Sequence, residues 1–214
     1  MDHEDSTCVM IIYNLNQLTI SEFRAIIINH NTKNVTTLAL LSTLKYADMP
    51  VLLIDCESSD GSLELFSRLM EDYNFDLMSA PFRTHGTTLD WIFSEIPSEY
   101  VLTVDSDIEI LSKEIITFCK RHISHPRVFA SGFMNAPNIM DHPMFVNTNH
   151  YKGLLMERVW LPLALFKTSS VRMALDEGLS FNAKFVNNNF SRFSWMRLIK
   201  QTLMGRAFIK VIKI

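Results

Sequence analysis

The sequence predicts an α/β protein in which helices cover both faces of a mostly parallel central sheet. Two observations predict this fold class. Short, continuous runs of branched apolar residues, such as Ala25–Ile28 and Val51–Ile54, are typical of strands that are buried on both faces. Segments with apolar residues at helical spacing lie between such runs, so strands and helices alternate along the chain.

The individual elements can be placed in order from these patterns. Ser58–Gly61 has the residue types of a turn and a helix N-cap, and Pro97 ends a helical pattern before the last strand. Met10–Tyr13 is either an additional edge strand or an ordered arm. The first helix is predicted to have its apolar side at Val35, Leu38, Leu41 and Leu44. The predicted order is strand 25–28, helix 35–46, strand 51–54, helix 63–73, strand 75–78, helix 87–96 and strand 100–104.

Length and composition fit one folded domain with a tail. Of the 214 residues, 48% are hydrophobic and 20% are charged, which is typical of a globular protein and not of a disordered one. Cys8, Cys56 and Cys119 are too few and too far apart for a disulfide framework or a thiolate zinc site. The acidic start does not resemble a secretory signal, and no apolar run reaches the roughly 18 residues that a membrane span needs. We therefore expect a cytoplasmic protein with reduced thiols.

Charge is distributed unevenly along the chain. All 23 acidic residues and 13 of the 20 basic residues precede position 178, which gives that part a net charge of −10 and the remainder +7. In 190–214, basic residues alternate with aromatic and aliphatic ones at roughly helical spacing, as in helices that bind anionic lipid surfaces. Packing of this tail on the acidic body is the alternative. We expect peripheral attachment to the inner face of a membrane and no nucleic-acid partner.

Two carboxylates stand one residue apart at the end of the last predicted strand. Asp105 and Asp107 follow the buried run Tyr100–Val104. Desolvation and mutual repulsion both disfavour charged carboxylates there unless a cation shares them. Oxygen ligands suit Mg²⁺ and Mn²⁺, which bind substrate phosphates beside one or two carboxylates. The pair therefore predicts a divalent metal site, with two solvated acids in a loop as the alternative.

Three segments together resemble the family 2 glycosyltransferases over roughly residues 24–135. Ile26–Asn31 is similar to the first strand of the family, which ends in Thr-Tyr-Asn. Leu53–Ser62 is similar to the family's Val-Asp-Asn-Gly-Ser-Thr-Asp-Gly-Ser stretch. Tyr100–Asp107 is similar to its metal-binding strand. The resemblance implies a GT-A fold with a Rossmann-like, mostly parallel central sheet. It divides the chain into an N-terminal arm or edge strand at 1–23, a transferase domain at 24–189 and the tail at 190–214. Within the transferase domain, the nucleotide-binding half covers about 24–110 and the acceptor half about 111–189.

The resemblance also implies roles for individual residues. Asn29 and Asp55 would lie around the base and ribose of a nucleotide sugar, while Asp105 and Asp107 would approach its diphosphate through Mn²⁺ or Mg²⁺. Cys56 stands where the family usually has Asn or Asp, which weakens the expected base contact. Alternatively, Asp55 caps a turn formed by the residues that follow it.

The segment 83–90 corresponds to the family's Gly-rich loop, which leads into a helix that ends in Ala-Leu-Asn. Leu89 and Asp90 fit that ending, whereas Gly86 is out of register. Arg83 or His85 would face the donor phosphates, and the N-terminus of the following helix would point in the same direction. For His85, a solvated loop is the alternative. We include Arg83, His85 and Asp90 among the predicted nucleotide-sugar-binding residues.

The catalytic base that the family's inverting reaction requires has no clear motif in this sequence. Asp176 and Glu177 are the nearest candidates for a carboxylate that takes the proton from the acceptor hydroxyl. The alternative is that they belong to the C-terminal cap of a helix that ends before Gly178. His142 and His150 lie in a polar stretch and are not included in the site.

The predicted function is metal-dependent transfer of a sugar from a nucleotide-diphosphate sugar to a hydroxyl on a glycan or lipid-linked acceptor. Two alternatives stay open. One is a non-catalytic member of the fold that binds nucleotide sugars or a partner protein. The other is a haloacid-dehalogenase-like phosphohydrolase, which also uses an Asp-x-Asp motif but places it after the first strand rather than the fourth.

Overall fold

The computed structural model describes residues 11–134 and 159–181, which form six strands, five α-helices and one short 3-10 helix. The strands are β1 (Ser21–Asn29), β2 (Val51–Cys56), β3 (Asp76–Ala80), β4 (Ser98–Val104), β5 (Ala130–Met134) and β6 (Val159–Lys167). The helices are α1 (Lys33–Tyr46), α2 (Ser62–Leu69), α3 (His85–Glu95), α4 (Glu114–Ile123) and α5 (Thr168–Asp176), with the 3-10 turn at Leu15–Gln17.

All six strands belong to one sheet in the order β3-β2-β1-β4-β6-β5. The first four strands are parallel, with Asn29 opposite Asp55 at the ends of β1 and β2. β6 is antiparallel to β4, and its last residue, Lys167, lies opposite Tyr100. The carboxyl ends of β1 to β4 therefore share one edge of the sheet, and β6 ends at the opposite edge.

Two apolar clusters lie on the two faces of the sheet, as the alternation of side chains along a strand requires. Ile26 and Ile54 face α3 and α5, where they pack with Phe93 and Val171. The alternating residues of the same strands, among them Ile27, face α1, α2 and α4. The predicted mostly parallel sheet with helices on both faces is thus confirmed.

The seven predicted elements are all present, and most are longer than predicted. β2 continues to Cys56 and so includes Asp55, while α3 begins at His85 rather than two residues later. The predicted apolar side of α1 is wrong at Val35 and Leu38, which are 47% and 49% exposed, whereas Leu44 packs against the core. The buried side consists of Thr36, Ala39, Leu40, Ser42 and Thr43.

The threonines of α1 can be buried because their hydroxyl groups are satisfied. Thr36 Oγ1 donates to Asn29 Oδ1 at 2.8 Å, and Thr43 Oγ1 donates to the Ala39 carbonyl at 2.7 Å. A buried hydroxyl with a partner does not carry the desolvation penalty of an unpaired one. A hydrophobicity pattern alone does not detect this arrangement.

The residues before β1 extend the sheet at its β3 edge. Ile12 forms an isolated parallel bridge with Met78, donating to the Leu77 carbonyl at 2.9 Å and accepting from Ser79 at 3.1 Å. Leu15 in the 3-10 turn is fully buried against the same face as α3. Among the described residues, no helix combines the length and apolarity that crossing a bilayer would take.

Candidate functional site

Asn29 and Asp55 form the centre of a polar group at the carboxyl ends of β1 and β2. Asn29 Nδ2 donates to Asp55 Oδ1 at 2.6 Å and to Ser58 Oγ at 3.0 Å. The second carboxylate oxygen of Asp55 accepts the backbone N–H of Ser58 at 3.1 Å. Asn29 Oδ1 accepts from Thr32 Oγ1 at 2.9 Å and from Thr36 Oγ1 at 2.8 Å. We call Asn29, Thr32, Thr36, Asp55 and Ser58 the closed cluster.

The closed cluster holds two loops together and presents little polar surface. Asn29 is fully buried and Asp55 is 1% exposed, and both side chains have partners for their polar atoms within the cluster. Buried polar groups with complete hydrogen bonding are rigid and stabilise one conformation. The structure thus contains the contact expected if Asp55 caps a turn. Because Asn29 and Asp55 are buried, a ligand has no direct access to their side chains in this structure.

A second layer of contacts covers the closed cluster. Asn31 and Glu57 have φ values of +56° and +54°, a region that residues other than glycine rarely adopt. Asn31 Oδ1 accepts the Ser59 N–H at 2.7 Å, and the Glu57 carboxylate accepts the Phe82 N–H at 3.1 Å. The three loops after β1, β2 and β3 therefore hold one another in position.

His30 and Phe82 form an exposed aromatic surface beside these loops that sequence reasoning missed. The two rings lie 4.4 Å apart, and His30 Nδ1 is 2.7 Å from the Cys56 carbonyl oxygen. The side chain of Cys56 itself is buried, which raises the pKa of its thiol to about 11 with a contribution from the neighbouring Asp55 charge. Cys56 therefore contributes its backbone to this surface, and its thiol stays protonated and inert at neutral pH.

Asp105 and Asp107 lie in the turn that follows β4. The Asp105 N–H donates to the Pro162 carbonyl at 2.9 Å, and its own carbonyl accepts the Ile108 N–H at 3.1 Å. Burial raises the pKa of the Asp105 carboxyl, the nearby His85 lowers it, and the Asp107 charge raises it further. Asp107 is exposed. Asp105 is thus a partly buried carboxylate, and its neighbours do not fully offset the cost of burying its negative charge.

His85 approaches this carboxylate from the N-terminus of α3. Its Nε2 lies 3.7 Å from Asp105 Oδ1, which is too long for a hydrogen bond. Thr84, the N-cap residue, makes no side-chain hydrogen bond to the first amides of α3. The N–H groups and the positive end of the dipole of an 11-residue helix are therefore directed to the same place as the carboxylates.

Among the described residues, Arg83 forms no ion pair. Its guanidinium lies 4.6 Å from the centre of the Trp91 ring, and Nη1 is buried without a hydrogen-bond partner. A buried donor without an acceptor costs about 1–3 kcal/mol, which a bound anion would recover. We call Arg83, His85, Asp105 and Asp107 the open cluster, because its charged groups lack the partners that the closed cluster has.

The open cluster fits a metal that is completed by a ligand. Within residues 11–134 and 159–181, no three His, Cys, Asp or Glu side chains converge as a self-sufficient metal site. Mg²⁺ and Mn²⁺ do not need such a set, since they bind through one or two carboxylates together with substrate phosphates and water. Asp105 and Asp107 supply the carboxylates, and Arg83 and the N-terminus of α3 supply groups that bind phosphate.

The structure does not bring the other predicted residues into the open cluster. Asp90 accepts hydrogen bonds from Ser180 and Phe181, and no hydrogen bond or ion pair of the described residues joins it to Asp105 or Asp107. Asp176 and Glu177 are exposed at the end of α5, where Gly178, with φ +79°, closes the helix by donating to the Leu175 carbonyl at 2.8 Å. No hydrogen bond or ion pair of the described residues joins them to Asp105 or Asp107. His142, His150 and the tail 190–214 lie outside the described residues.

Comparison with solved structures identifies the fold. No protein-family model and no curated protein matches the sequence. The chain is similar to the mannosyltransferase PcManGT from Pyrobaculum calidifontis, in complex with GDP-Man and Mn²⁺, with a TM-score of 0.57 and 17% identity over 76% of this chain and 48% of that chain. It is similar to residues 1–349 of S. aureus TarS with a TM-score of 0.53 and 19% identity over 78% of this chain and 52% of that chain.

A third similar structure is glucosyl-3-phosphoglycerate synthase from Mycobacterium tuberculosis with Mn²⁺, uridine diphosphate and phosphoglyceric acid. The TM-score is 0.52 and the identity 11%, over 75% of this chain and 62% of that chain. The chain has the GT-A glycosyltransferase fold, as predicted. It spans about half the length of the first two structures, and at these identities the similarity establishes the fold alone.

Proposed function

We propose that the chain is the donor-binding part of a glycosyltransferase that uses a nucleotide-diphosphate sugar and a divalent metal. The observation that carries the proposal is the open cluster at the carboxyl edge of the sheet. It brings His85, the first residue of α3, to 3.7 Å from Asp105 Oδ1, and it includes Arg83, which precedes that helix by two residues and has a buried donor without a partner. In open α/β sheets, ligands bind outside the carboxyl ends of the strands. The mannosyltransferase and synthase with the same fold hold Mn²⁺ with GDP-Man and with uridine diphosphate, which supports this assignment.

The residues of the open cluster would divide the binding of the diphosphate. Asp105 and Asp107 would hold Mn²⁺ or Mg²⁺, which would neutralise the charge of the diphosphate leaving group. The guanidinium of Arg83 would donate to phosphate oxygens with the Nη1 that lacks a partner. His85 and the first amides of α3 would meet the remaining negative charge.

The closed cluster would serve the nucleoside indirectly. Asn29 and Asp55 hold the loops after β1 and β2 in position, and the His30 and Phe82 rings offer an exposed surface on which a base can stack. Asn29 and Asp55 are predicted to lie near the base and ribose. We propose that their role there is to support the surrounding loops.

The proposed reaction forms a bond between the acceptor hydroxyl oxygen and the anomeric carbon, and it breaks the bond between that carbon and the donor phosphate oxygen. In an inverting transfer, a carboxylate takes the hydroxyl proton as the new bond forms. Asp176 and Glu177 stay the predicted candidates for that base. They are exposed at the end of α5, and no hydrogen bond or ion pair of the described residues joins them to the open cluster.

Thermal shift measurements with nucleotides test the proposal directly. We expect UDP or GDP with Mn²⁺ to raise the Tm of the protein, and neither nucleotide to do so in EDTA. Asp105→Ala and Asp107→Ala should each abolish the shift, because the metal loses half of its protein ligands. Asp72→Ala is the matched control, since it removes an exposed carboxylate after α2 and should leave the shift unchanged. A shift that persists in both site variants would disprove the metal site.

A non-catalytic nucleotide-sugar-binding protein is the second candidate. It is favoured by the absence, among the described residues, of a carboxylate base beside the open cluster. Incubation with UDP-sugars and GDP-sugars distinguishes the two, since only the enzyme releases UDP or GDP. The phosphohydrolase alternative has no support, because the Asp pair follows β4 of a GT-A sheet. A glycan or lipid-linked acceptor, a cytoplasmic location and attachment to anionic membranes through 190–214 stay predictions.

A further inference from the structure

Helix α3 and its C-cap residue contact α5 and the chain that follows α5 at two levels. At the C-terminal end of α3, the Arg172 guanidinium donates to the carbonyls of Phe93 at 2.9 Å and Ile96 at 2.7 Å. Nearer the middle of α3, the Asp90 carboxylate accepts the Ser180 hydroxyl at 2.5 Å and the Phe181 backbone N–H at 2.8 Å. The chain from Arg172 to Phe181 therefore runs along α3 toward its N-terminal end.

The contacts with Asp90 set a position, while the packing comes from other residues. The Phe181 ring stacks on Phe93 with 5.4 Å between centroids and meets Phe166 edge-on at 6.0 Å. Apolar contacts of this kind hold the segment against α3, but they are weakly directional. A carboxylate that accepts hydrogen bonds from two adjacent residues fixes both distance and orientation. Asp90 therefore determines where Phe181 lies along the helix.

The same helix reaches the open cluster. His85 Nε2 lies 3.7 Å from Asp105 Oδ1. Asp90 follows His85 by five residues, which corresponds to a rise of about 7.5 Å along an α-helix. Helix α3 is thus a rigid connection between the end of β4 and the segment Ser180–Phe181.

We propose that Asp90 is a positioning residue that fixes Ser180 and Phe181, which belong to the predicted acceptor half, against the helix that carries His85, and that it is not a nucleotide ligand. The proposal rests on the proposed glycosyl transfer. Transfer requires the acceptor oxygen to lie about 3–3.5 Å from the anomeric carbon. Directional contacts such as those of Asp90 would help to keep the two parts of the site at that distance. Without them, water takes the place of the acceptor, and the donor bond is broken by hydrolysis instead of transfer.

The experiment compares Asp90→Ala, Ser180→Ala and the double variant with the wild-type chain. In Asp90→Ala, we expect hydrogen exchange at the Phe181 amide to accelerate about ten-fold or more, because this amide loses its acceptor. Calorimetry with UDP–Mn²⁺ and GDP–Mn²⁺ should give unchanged affinities. The ratio of sugar transfer to donor hydrolysis should fall about ten-fold or more, since small displacements strongly reduce the rate. Glu95→Ala, which removes an exposed acid from the same helix, is the control and should behave as wild type.

Ser180→Ala removes one of the two hydrogen bonds and should lower the transfer ratio less than Asp90→Ala. The double variant should match Asp90→Ala, because both changes remove the same contact. Unchanged exchange at Phe181 overturns the proposal whatever the activity, and so does a nucleotide affinity that falls in Asp90→Ala. Equal losses of transfer and hydrolysis overturn it as well. A wild-type protein that binds neither nucleotide with Mn²⁺ disproves the proposed function itself, a result that the Asp90 variants cannot produce.

Discussion

The closed and open clusters lie at the same edge of one sheet and each contains an aspartate at the end of a parallel strand, yet they differ in how their polar groups are satisfied. In the closed cluster, Asp55 accepts from Asn29 and from the Ser58 N–H, and both side chains are buried. In the open cluster, the ionic partner of Asp105 within the described residues is an imidazole at 3.7 Å, and Arg83 lies over an aromatic ring with its buried Nη1 unpaired. A saturated group supports the fold, whereas an unsaturated one is ready to bind a ligand.

Asp55→Ala tests the closed side of the comparison and should have the largest effect. It leaves the Ser58 N–H and one Asn29 proton without acceptors in a buried place, so we expect the free energy of unfolding to fall by about 3 kcal/mol. Urea denaturation of the metal-free protein measures this change. Asp60→Ala is the matched control, because Asp60 also accepts N–H groups in this loop but is more exposed, and its loss should have a smaller effect. If Asp55→Ala left stability intact and removed nucleotide binding instead, the cluster would be a binding site and the comparison would fail.

Arg83→Met tests the open side and should affect binding more than stability. The substitution keeps an apolar stem on Trp91 and removes a buried donor that has no partner in the free protein. We expect the affinity for UDP–Mn²⁺ or GDP–Mn²⁺ to fall about ten-fold, as for the loss of one charge-assisted hydrogen bond, with little change in unfolding free energy. Isothermal titration calorimetry measures the affinity.

Lys45→Met is the control for Arg83→Met. Lys45 also lies over an aromatic ring, that of Tyr46 at 4.8 Å, but it stands at the end of α1 that is remote from the open cluster. The two substitutions remove the same charge and a similar ring contact. An equal loss of affinity in both variants would show that overall charge, rather than a phosphate contact, is responsible.

The sequence was sufficient to predict features that depend on neighbouring residues. Alternating apolar runs predicted the order of strands and helices, which the structure confirms, while the metal site at the carboxylate pair after Val104 stays a prediction. Partners distant in sequence could not be predicted. Asn29 is satisfied by Thr36 and Ser58, from two separate segments, and Asp90 binds residues 90 positions later. Whether a polar side chain is saturated is therefore a property of the tertiary structure, and so is the difference between the two clusters.

The pH dependence of stability gives the smallest effect and tests whether Asp105 is uncompensated in the free protein. Burial, the largest cause, raises the pKa of its carboxyl above the ordinary value of 3.8, with His85 opposing and Asp107 adding to the shift. A carboxyl with a raised pKa binds its proton more tightly in the folded state, so the protein loses stability as pH rises from 3.8 through the raised pKa. At neutral pH the full penalty is present.

Asp105→Asn should therefore be slightly more stable than the wild type at neutral pH in EDTA, and the difference should shrink as the pH falls toward 3.8. Urea denaturation across this range measures it, with Asp107→Asn expected to give a smaller gain because Asp107 is exposed and acts only through repulsion. Saturating Mn²⁺ should reverse the order, since the metal stabilises only a chain that keeps the carboxylate. An Asp105→Asn variant that is less stable than wild type in EDTA would mean that the Asp105 carboxylate already has adequate partners in the free protein. Asp105 would then be as well satisfied as Asp55, and the contrast that identifies the open cluster as the candidate binding site would be lost.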